Sequence, residues 1–328
     1  MTKTKLLEDA IKHLKVHDAQ LIVGIGASAG GLEALQQFFV NLPAKSNIAY
    51  IIVQHLSPDH KSLMAEILGK YTPMQVMQAE HLMPIEPNVV YLIPPKKNLT
   101  IKAGHILLND YDHRRINHPI DIFFNSLAEE SREKAVAVVL SGTGSNGIKT
   151  IKEHGGIVMA QDPQSAKFDG MPRSVINTGL ADFILAPKDL AQELLNLADY
   201  HHLLLPQGSS EPSDIEVLNR IYSSLKSVSG IDFTYYKRNT VLRRIERRMV
   251  VTKSADMESF AALLEKNPNE TELLMKDILI GVTRFFRDRE FFEKLKVTAL
   301  ASILNHAAEN EPIRIWSAGC STGEEAYS

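Results

Sequence analysis

Cysteine is almost absent from this 328-residue chain, which contains only Cys320. A single thiol cannot form an internal disulfide, and a chain without disulfides suits a reducing compartment, so we expect a cytoplasmic protein. No apolar run approaches the roughly 18 residues that a membrane span needs, and membrane insertion is therefore not expected. The opening stretch "MTKTKLLEDAIKHLKVHDAQ" mixes charges through its apolar positions and is unlike a signal peptide.

A large excess of one charge is also missing, because 36 Lys and Arg residues face 39 Asp and Glu residues, for a net charge of −3. This balance gives no whole-chain electrostatic argument for nucleic-acid binding. Metal-ligand spacing is absent too: His201 and His202 are adjacent and there is no cysteine pair, so we expect no metal site. What is present is ordinary globular composition, 44% hydrophobic and 23% charged, in a chain long enough for more than one domain.

From residue 21 to about residue 200, apolar runs alternate with stretches of helical periodicity. The runs are "LIVGIG", "IAYIIVQ", "AVAVVLSG", "GGIVMAQ" and "ADFILA". Continuous apolar strands that alternate with helices predict an α/β fold with a mainly parallel, doubly wound sheet covered on both faces. Residues 88–110, "NVVYLIPPKKNLTIKAGHILLND", hold short strands and tight turns without a helix, so we expect a small antiparallel β-excursion there.

The stretch "LLLPQGSSEPSD", residues 203–214, clusters Pro, Gly and Ser and predicts a linker. Residues 215–308 show helical periodicity with few strand signals, which predicts an all-α domain. "IRIWSAGCSTGEEAYS" then indicates a first strand, residues 313–317, and a glycine turn of another α/β domain. Such a domain needs on the order of 100 more residues. We therefore expect an α/β domain over residues 1–202, the linker, the all-α domain, and the start of a truncated domain over residues 309–328.

The stretch "LIVGIGASAGGLEALQQFF", residues 21–39, allows two interpretations. Gly24, Gly26 and Ala29 fit the loop that binds a dinucleotide pyrophosphate, whereas Gly26, Ser28 and Gly30 fit the turn that presents a serine nucleophile. A dinucleotide fold places an acidic residue at the end of the second strand. The second strand here ends in "VQHLSPDH", without an acid at its carboxyl end, which counts against the dinucleotide. If a dinucleotide did bind, it would protect the chain from thermal unfolding.

A serine nucleophile needs a base, and the base needs a third group that orients it. Ser28 follows the first strand and His55 ends the second, 55 − 28 = 27 residues later. Parallel neighbouring strands bring two such residues to the same sheet edge. The loop "GTGSNG", residues 142–147, follows "AVAVVLSG" at that edge, and its backbone N–H groups can face an oxyanion. The order serine, histidine, third group is not that of the α/β-hydrolases, so a different family is indicated.

Six motifs in order over residues 19–190 resemble the catalytic domain of chemotaxis protein-glutamate methylesterases, the CheB type. They are "IGASAGG", "VQHLSPDH", "YLIPP", "HPIDIFFNSLA", "VVLSGTGSNG" and "FDGMPRSVINTG". The resemblance implies hydrolysis of glutamyl methyl esters on chemoreceptors, glutamine deamidation in many members, and no cofactor. It makes Ser28 the nucleophile and His55 the general base, and it assigns the oxyanion to the backbone N–H groups of Ala29 and Thr143.

The main departure from that family is Asn146, which stands where the family has the aspartate of the catalytic triad. An asparagine amide oxygen can orient His55, but it supplies no charge to stabilise the imidazolium. A Ser–His–Asn set is therefore expected to be slow, unless Asp162 or Asp169 takes over the role. The alternative function is a catalytically impaired module that docks to the receptor.

The second part of the chain resembles the chemotaxis receptor glutamate methyltransferases, the CheR type. The matching motifs are "SGIDFTYYKRNTVLRRIERRM", "ILIGVTRFFRD" and "IRIWSAGCSTGEEAYS". This resemblance implies S-adenosylmethionine as the cofactor of the full-length methyltransferase domain, which we expect to be incomplete in this chain. It assigns cofactor contacts to Arg287, to the glycine turn at Gly319 and to Glu324.

Four arginines, Arg243, Arg244, Arg247 and Arg248, have the i, i+1, i+4, i+5 spacing that gives them a common helix face. A solvated basic face is one interpretation of this pattern. No aromatic residues are interleaved as single-stranded nucleic acid would require, so nucleic acid is not the expected partner. The resemblance favours docking of this face to an acidic helix of a methyl-accepting receptor's cytoplasmic part.

Overall fold

The computed structural model describes residues 19–54, 63–110, 118–142, 147–203, 212–280, 285–286, 289–306, 312–320 and 323–328. The chain divides into two compact units, Met1–Ile278 and Leu279–Ser328. None of the helices in these described ranges is both long enough and apolar enough to cross a bilayer.

The described residues of the first unit form ten strands. They are β1 (Leu21–Ala27), β2 (Ile48–Gln54), β3 (Gln75–Gln78), β4 (Met83–Pro84), β5 (Val89–Leu92), β6 (Lys97–Lys102), β7 (His105–Asp110), β8 (Ala135–Val139), β9 (Ile157–Gln161) and β10 (Phe183–Leu185). Seven of them form one parallel sheet in the order β10-β9-β8-β1-β2-β5-β3. The predicted mainly parallel sheet is confirmed, and the five predicted apolar runs are β1, β2, β8, β9 and β10.

Ten helices accompany these strands in the described part of the first unit. They are α1 (Gly31–Phe39), α2 (Met64–Leu68), α3 (Pro119–Ser131), α4 (Ile148–Glu153), α5 (Gly170–Asn177), α6 (Pro187–Leu203), α7 (Pro212–Ser229), α8 (Arg238–Thr252), α9 (Met257–Lys266) and α10 (Pro268–Ile278). The predicted linker, residues 203–214, overlaps the end of α6 and the start of α7, and its middle lies outside the described residues.

Both faces of the parallel sheet are covered, which explains why its central strands are apolar at every position. Leu35 and Phe38 of α1 and Leu194 of α6 belong to the core on one face. Phe123 and Leu127 of α3 belong to the core on the other face. Full burial of a side chain of this size contributes about 1.5–3 kcal/mol to stability.

Two glycines of β1 allow α3 to pack directly on the sheet. A Cβ at Gly24 would lie 2.6 Å from Cε1 of Phe123 and 2.7 Å from Cδ2 of Leu127. A Cβ at Gly26 would lie 2.9 Å from Cγ2 of Ile120. These separations are shorter than van der Waals contact, so a larger residue would push the helix away. The glycines that suggested a pyrophosphate loop therefore make room for helix packing.

The antiparallel excursion is smaller than predicted. The β6 and β7 strands form an antiparallel hairpin, and the short β4 pairs with β7 to make a three-stranded sheet. Residues 97–110 thus behave as expected. The β5 strand does not, because it pairs in parallel with β2 and β3 and belongs to the main sheet. All four β5 residues are buried, as expected for a strand that lies between two strands of the main sheet.

The helices after the linker form their own apolar core, as predicted for an all-α region. Ile221, Leu225, Phe233, Ile245 and Phe260 are all fully buried within it. The start of α9 is fixed by a reciprocal cap, in which the Asp256 carboxylate accepts from Ser259 N and the Ser259 hydroxyl accepts from Asp256 N. Such a cap satisfies two backbone N–H groups that the helix itself leaves free.

The α8 helix packs against the α/β region through buried arginines. Arg244, Arg247 and Arg248 are 6%, 5% and 5% exposed. Arg247 donates to both Asp182, just before β10, and Asp277 of α10. Arg248 forms two 2.7 Å bonds to the carboxylate of Glu270, which closes a planar fork. The expectation that these three arginines form a docking face for a receptor is therefore wrong, because carboxylates and carbonyls of the same chain already cover them.

Lys152 of α4 completes this buried charge cluster. Its ammonium lies 2.8 Å from Asp182 Oδ1 and 3.2 Å from Asp277 Oδ1. Burial acts to raise the pKa of the Asp182 carboxyl, but Arg247 and Lys152 outweigh it and hold that pKa well below its usual range. Burial lowers the pKa of Lys152 itself, against the attraction of Asp182. Of the four arginines predicted to share a helix face, Arg243 is the one that stays at the surface, 3.7 Å from Glu133.

The second unit has a helical path formed by α11 (Arg289–Leu295), a π-helical turn at Lys296–Leu300 and α12 (Ala301–His306). The strand predicted for residues 313–317 is not formed. Residues 312–317 do not form a strand, and Trp316 is 92% exposed. A strand forms only by bonding to a neighbour. The described residues of this unit offer no neighbouring strand.

We predict that Asp182→Asn destabilises the first unit by about 3–5 kcal/mol at pH 7, since it removes one of the two carboxylates, Asp182 and Asp277, that Arg247 and Lys152 share in the buried cluster. Urea unfolding measures the change. The control is Asp110→Asn, which removes the exposed partner of Lys97 and should leave the unfolding midpoint unchanged.

The same comparison has a pH dependence. Because the folded-state pKa of Asp182 is depressed, its contribution is complete above the unfolded pKa of about 3.9 and is lost as pH falls through the folded value. The difference between wild type and Asp182→Asn should therefore narrow at pH 3. A difference that is absent at pH 7 would contradict the assignment.

Candidate active site

Ser28 lies where the strand order of the sheet reverses. The chain passes from β1 to β2 on one side and later returns to β8 on the other side of β1. In open α/β sheets, such a switch point opens a crevice at the carboxyl ends of the strands. Ser28 is the first residue after β1 and is half-buried at this edge. The predicted nucleophile thus occupies the position at which this fold class binds its ligands.

The turn that carries Ser28 is held by backbone bonds. Ser28 N donates to Ser141 O at 2.9 Å, and Gly31 N donates to Ser28 O at 2.9 Å. Gly30 has φ 72°, in the left-handed region, and directly precedes α1. That conformation costs glycine little and would strain any residue with a Cβ. The serine therefore stands at the start of α1, whose free N–H groups give this edge a partial positive charge.

Gly142 packs against Ser28 from the neighbouring strand end. A Cβ at Gly142 would lie 2.6 Å from Ser28 Cβ and 2.5 Å from Met171 Sδ, so a larger residue has no space there. Gly142 N donates to Phe168 O at 3.0 Å, and Met171 N donates to Gly142 O at 2.7 Å. Residues 168–171 thus hold Gly142 in place beside the serine.

Ser141 connects three segments of this edge, and sequence reasoning missed it. The residue is fully buried. Its hydroxyl donates to Ala29 O at 2.8 Å and accepts from Phe168 N at 3.0 Å. Its backbone N–H donates to Gln161 Oε1 at 2.9 Å, and Gln161 Nε2 donates to Ser165 O at 3.0 Å. A serine directly after an apolar strand, as in "AVAVVLSG", was the available signal.

Several predicted site residues lie outside the described residues: His55, Thr143, Asn146 and Arg287. Their predicted roles stay predictions. The residue before His55 is described: Gln54 pairs in register with Ala27, which precedes Ser28. Ala29, predicted to donate its N–H to the oxyanion, is exposed in the same turn as Ser28.

The two aspartates considered as substitutes for the triad acid have other partners. Asp162 accepts a hydrogen bond from Gln164 N at 3.0 Å and so caps a short 3₁₀ turn. Asp169 pairs with Arg173 of α5 at 2.5 Å, and both side chains are partly exposed. Each carboxylate thus has a local structural role in the described geometry.

A polar cleft of about 200 Å³ opens beside the same turn. Its lining includes Gly30 and Glu33 of the α1 start, Gln161 at the end of β9, and Lys167. Lys167 Nζ lies 3.5 Å from Glu33 Oε1 at the surface, where such a pair adds little stability. The cleft therefore provides polar surface at Gly30, two residues after Ser28, that the sequence did not indicate.

The second unit contains the predicted cofactor contacts. Gly319 has φ 72° and Gly323 has φ 102°, conformations that suit a turn close to a ligand. However, no heavy atom lies within 4 Å of a Cβ built on Gly319, and residues 312–316 are exposed. Gly319 is exposed and Glu324 half-buried in this turn, and their predicted contacts with S-adenosylmethionine stay predictions.

Taken together, the first unit is a doubly wound α/β domain with a serine turn at its switch point, joined to an all-α region. The chain belongs to the CheB methylesterase family, whose model matches residues 23–194. The model of the CheR methyltransferase all-alpha domain matches residues 216–279, and that of the CheR SAM binding domain matches residues 281–328. The chain therefore carries CheB methylesterase and CheR methyltransferase domains together.

Similar proteins agree with this membership. A Rhodobacter capsulatus protein, "Uncharacterized 104.1 kDa protein in hypE 3'region", is 37% identical over 292 residues, which are 81% of this chain and 30% of that protein. The "Protein-glutamate methylesterase/protein-glutamine glutaminase" of Thermotoga maritima is 32% identical over 184 residues, 54% of each chain. The Thermotoga maritima CheB methylesterase catalytic domain matches in structure with a TM-score of 0.50 at 30% identity, over 56% of this chain and 100% of that one.

We predict that Ser141→Ala destabilises the α/β region by about 1–3 kcal/mol, because Ala29 C=O and Phe168 N–H lose a buried partner. Urea unfolding tests this. Ser131→Ala is the matched control, since the Ser131 hydroxyl is buried without a hydrogen-bond partner among the described residues. Equal destabilisation by both changes would contradict the role assigned to Ser141.

Proposed function

We propose that the α/β region is a serine esterase that hydrolyses glutamyl methyl esters of proteins. The observation that carries the proposal is the position of Ser28, at the switch point of the sheet and in contact with Gly142 at the end of β8. The names of relatives such as the Thermotoga maritima methylesterase/glutaminase support this substrate. The same chemistry on a glutamine side chain would release ammonia and amount to deamidation.

The proposed reaction has two steps. Ser28 Oγ attacks the ester carbonyl carbon while His55 takes the hydroxyl proton, and the resulting oxyanion accepts from the N–H groups of Ala29 and Thr143. The C–O bond to the methoxy group then breaks, and methanol leaves with the proton from His55. Water, deprotonated by His55, attacks the acyl carbon; the bond to Ser28 Oγ breaks, Ser28 Oγ takes the proton back from His55, and the glutamate carboxylate is released.

Asn146 limits the rate in this proposal. Its amide oxygen can accept from His55 Nδ1–H and so select the tautomer that is able to take a proton from Ser28. It carries no negative charge, so the imidazolium formed in each step is stabilised less than by a carboxylate. The proposed esterase is therefore slow. If it is too slow to turn over, the domain acts as a module that docks to its substrate protein.

For the second part of the chain, we propose a role in methyl transfer to glutamate side chains with S-adenosylmethionine as donor. The support is the match of residues 216–328 to the two CheR domain models. Arg287, Gly319 and Glu324 are the residues that we expect to contact the cofactor. The common partner of both activities would be the cytoplasmic helices of a methyl-accepting receptor, which present the same glutamates to both. Docking of these helices to Arg243 alone remains compatible with its exposed position.

We predict that Ser28→Ala abolishes covalent labelling by an activated phosphonate ester, because the attacking oxygen is missing. Intact-protein mass spectrometry measures the labelled fraction. Ser223→Ala, on the surface of α7, is the control and should be labelled like the wild type. Labelling that persists in Ser28→Ala would exclude Ser28 as the nucleophile.

We predict that Asn146→Asp raises kcat for a glutamyl methyl ester peptide by roughly 10² to 10⁴-fold, since a carboxylate stabilises the imidazolium. Methanol release measures the rate. Asn109→Asp adds the same charge on the exposed end of β7 and should leave the rate unchanged. Wild-type and Asn146→Asp rates that are equal and high would refute the idea of impairment. Tight binding of the substrate protein without a burst of acyl-enzyme would favour the docking module.

A further inference from the structure

The α4 helix connects the candidate active site to the all-α region. Its first residue follows Gly147, at the described end of the loop that begins with Gly142 beside Ser28. Its last residue, Glu153, lies at the interface with α8. Six residues at 1.5 Å each make a rod of about 9 Å. A change at one end of so short a helix is transmitted to the other end with little bending.

Arg244 of α8 caps the carboxyl end of α4 from the other region. Its Nη1 donates to Lys152 O at 2.8 Å, and its Nη2 donates to Glu153 O at 2.7 Å. The last carbonyls of a helix have no partner inside the helix, and they carry the negative end of its dipole. A buried guanidinium satisfies both needs with two donors in a fixed geometry. Gly155 N, in the turn after α4, also donates to Lys152 O at 3.1 Å, so Arg244 adds a second donor there and a donor to Glu153 O.

Arg247 also binds the turn that follows α4. Its Nε donates to Gly156 O at 3.0 Å, just before β9. The side chain of Lys152 points into the same cluster and contacts Asp277 of α10 at 3.2 Å. The segment 152–156 is thus held by backbone and side-chain contacts to two helices of the all-α region.

The opposite end of α4 is anchored within the α/β region. Gly147 N donates to Asp121 Oδ1 of α3 at 2.8 Å. A Cβ at Gly147 would lie 2.9 Å from Asp121 Cα, which shows how closely the helix start packs on α3. The positions of Gly147 and Gly142 bound the loop that contains the predicted Thr143 and Asn146. A shift of α4 along its axis therefore changes the distance between Gly147 and Gly142.

We propose that Arg244 is a positioning residue for the esterase site, through which the all-α region fixes α4 and the loop end at Gly147. The proposal rests on the proposed esterase function for its effect on rate, but not for the mechanical link. It makes the all-α region part of the esterase. In this arrangement, the α/β region holds Ser28, and the all-α region holds the far end of the helix that begins next to Gly147.

The test uses the full 328-residue chain with Arg244→Lys, which keeps the charge but removes the two-donor fork. We expect kcat for a small activated ester to fall by at least about tenfold with KM unchanged, because a displaced α4 weakens transition-state contacts and not substrate binding. Lys253→Ala is the matched control, since its bridge to Glu193 also joins α8 to the α/β region but does not touch α4. It should leave both kinetic constants unchanged.

Amide hydrogen exchange separates this proposal from the proposed function. In Arg244→Lys, exchange of residues 147–156 should become at least about tenfold faster than in wild type and Lys253→Ala, while β1 and β2 stay protected. Unchanged exchange in 147–156 would overturn the proposal, and so would a kcat equal to that of wild type. A wild-type chain without ester hydrolysis, but with the expected exchange, would instead reject the esterase and support the link. Global loss of protection in Arg244→Lys would also overturn it, because Arg244 would then be needed for folding and not for position.

Discussion

The parallel pairing of β1 with β2 on one side and β8 on the other is the constraint on which the candidate site depends. In-register pairing aligns the carboxyl ends of the three strands, so Ala27 stands beside Gln54 and Gly26 beside Val139. All three strands are buried on both faces, and a slip in register would move Gly24 and Gly26 away from α3 and press larger side chains against that helix. The packing of the core therefore determines where the chain leaves β1 at Ser28. The tightly packed strands also limit the movement of the turn that carries Ser28.

Close packing at this edge leaves little freedom for the residues that surround the serine. Gly142 fits against Ser28 because it has no side chain, and Ser141 satisfies backbone groups of two other segments with one hydroxyl. These residues contribute nothing to bond breaking in the proposed reaction. They hold the reacting group in one conformation, which lowers the entropy that must be lost before attack.

The charged interface between the α/β and all-α regions depends on the pairing of buried charges. Three buried cations, Lys152, Arg247 and Arg248, share three buried carboxylates, and Arg244 donates to two backbone carbonyls beside them. Removing that many charges from water is costly, and their pairing offsets the cost only when every group finds a partner. Such an interface contributes more to a unique arrangement than to net stability. It explains why segments that match two separate family models form one compact unit here.

Local patterns predicted most of the fold because periodicity reflects burial that neighbouring residues share. Five of the seven strands of the main sheet and the helical character of the residues after the linker follow directly from them. The β5 strand was misplaced because its short apolar run has no feature that distinguishes a parallel from an antiparallel neighbour. The docking role for Arg244, Arg247 and Arg248 was wrong for a related reason. Their spacing establishes a common helix face, but it contains no information about what covers that face.

The sequence by itself determined the family, the serine turn and the order of the elements, since each depends on residues close together along the chain. Tertiary structure decided which groups meet across long separations. The bond from Ser141 to Ala29 joins residues 112 apart, and the bonds from Arg244 to α4 join residues 91 and 92 apart. Both connections arise only when the sheet and the helices pack, because the backbone carbonyls that they satisfy are common to all residues and leave no trace in the sequence.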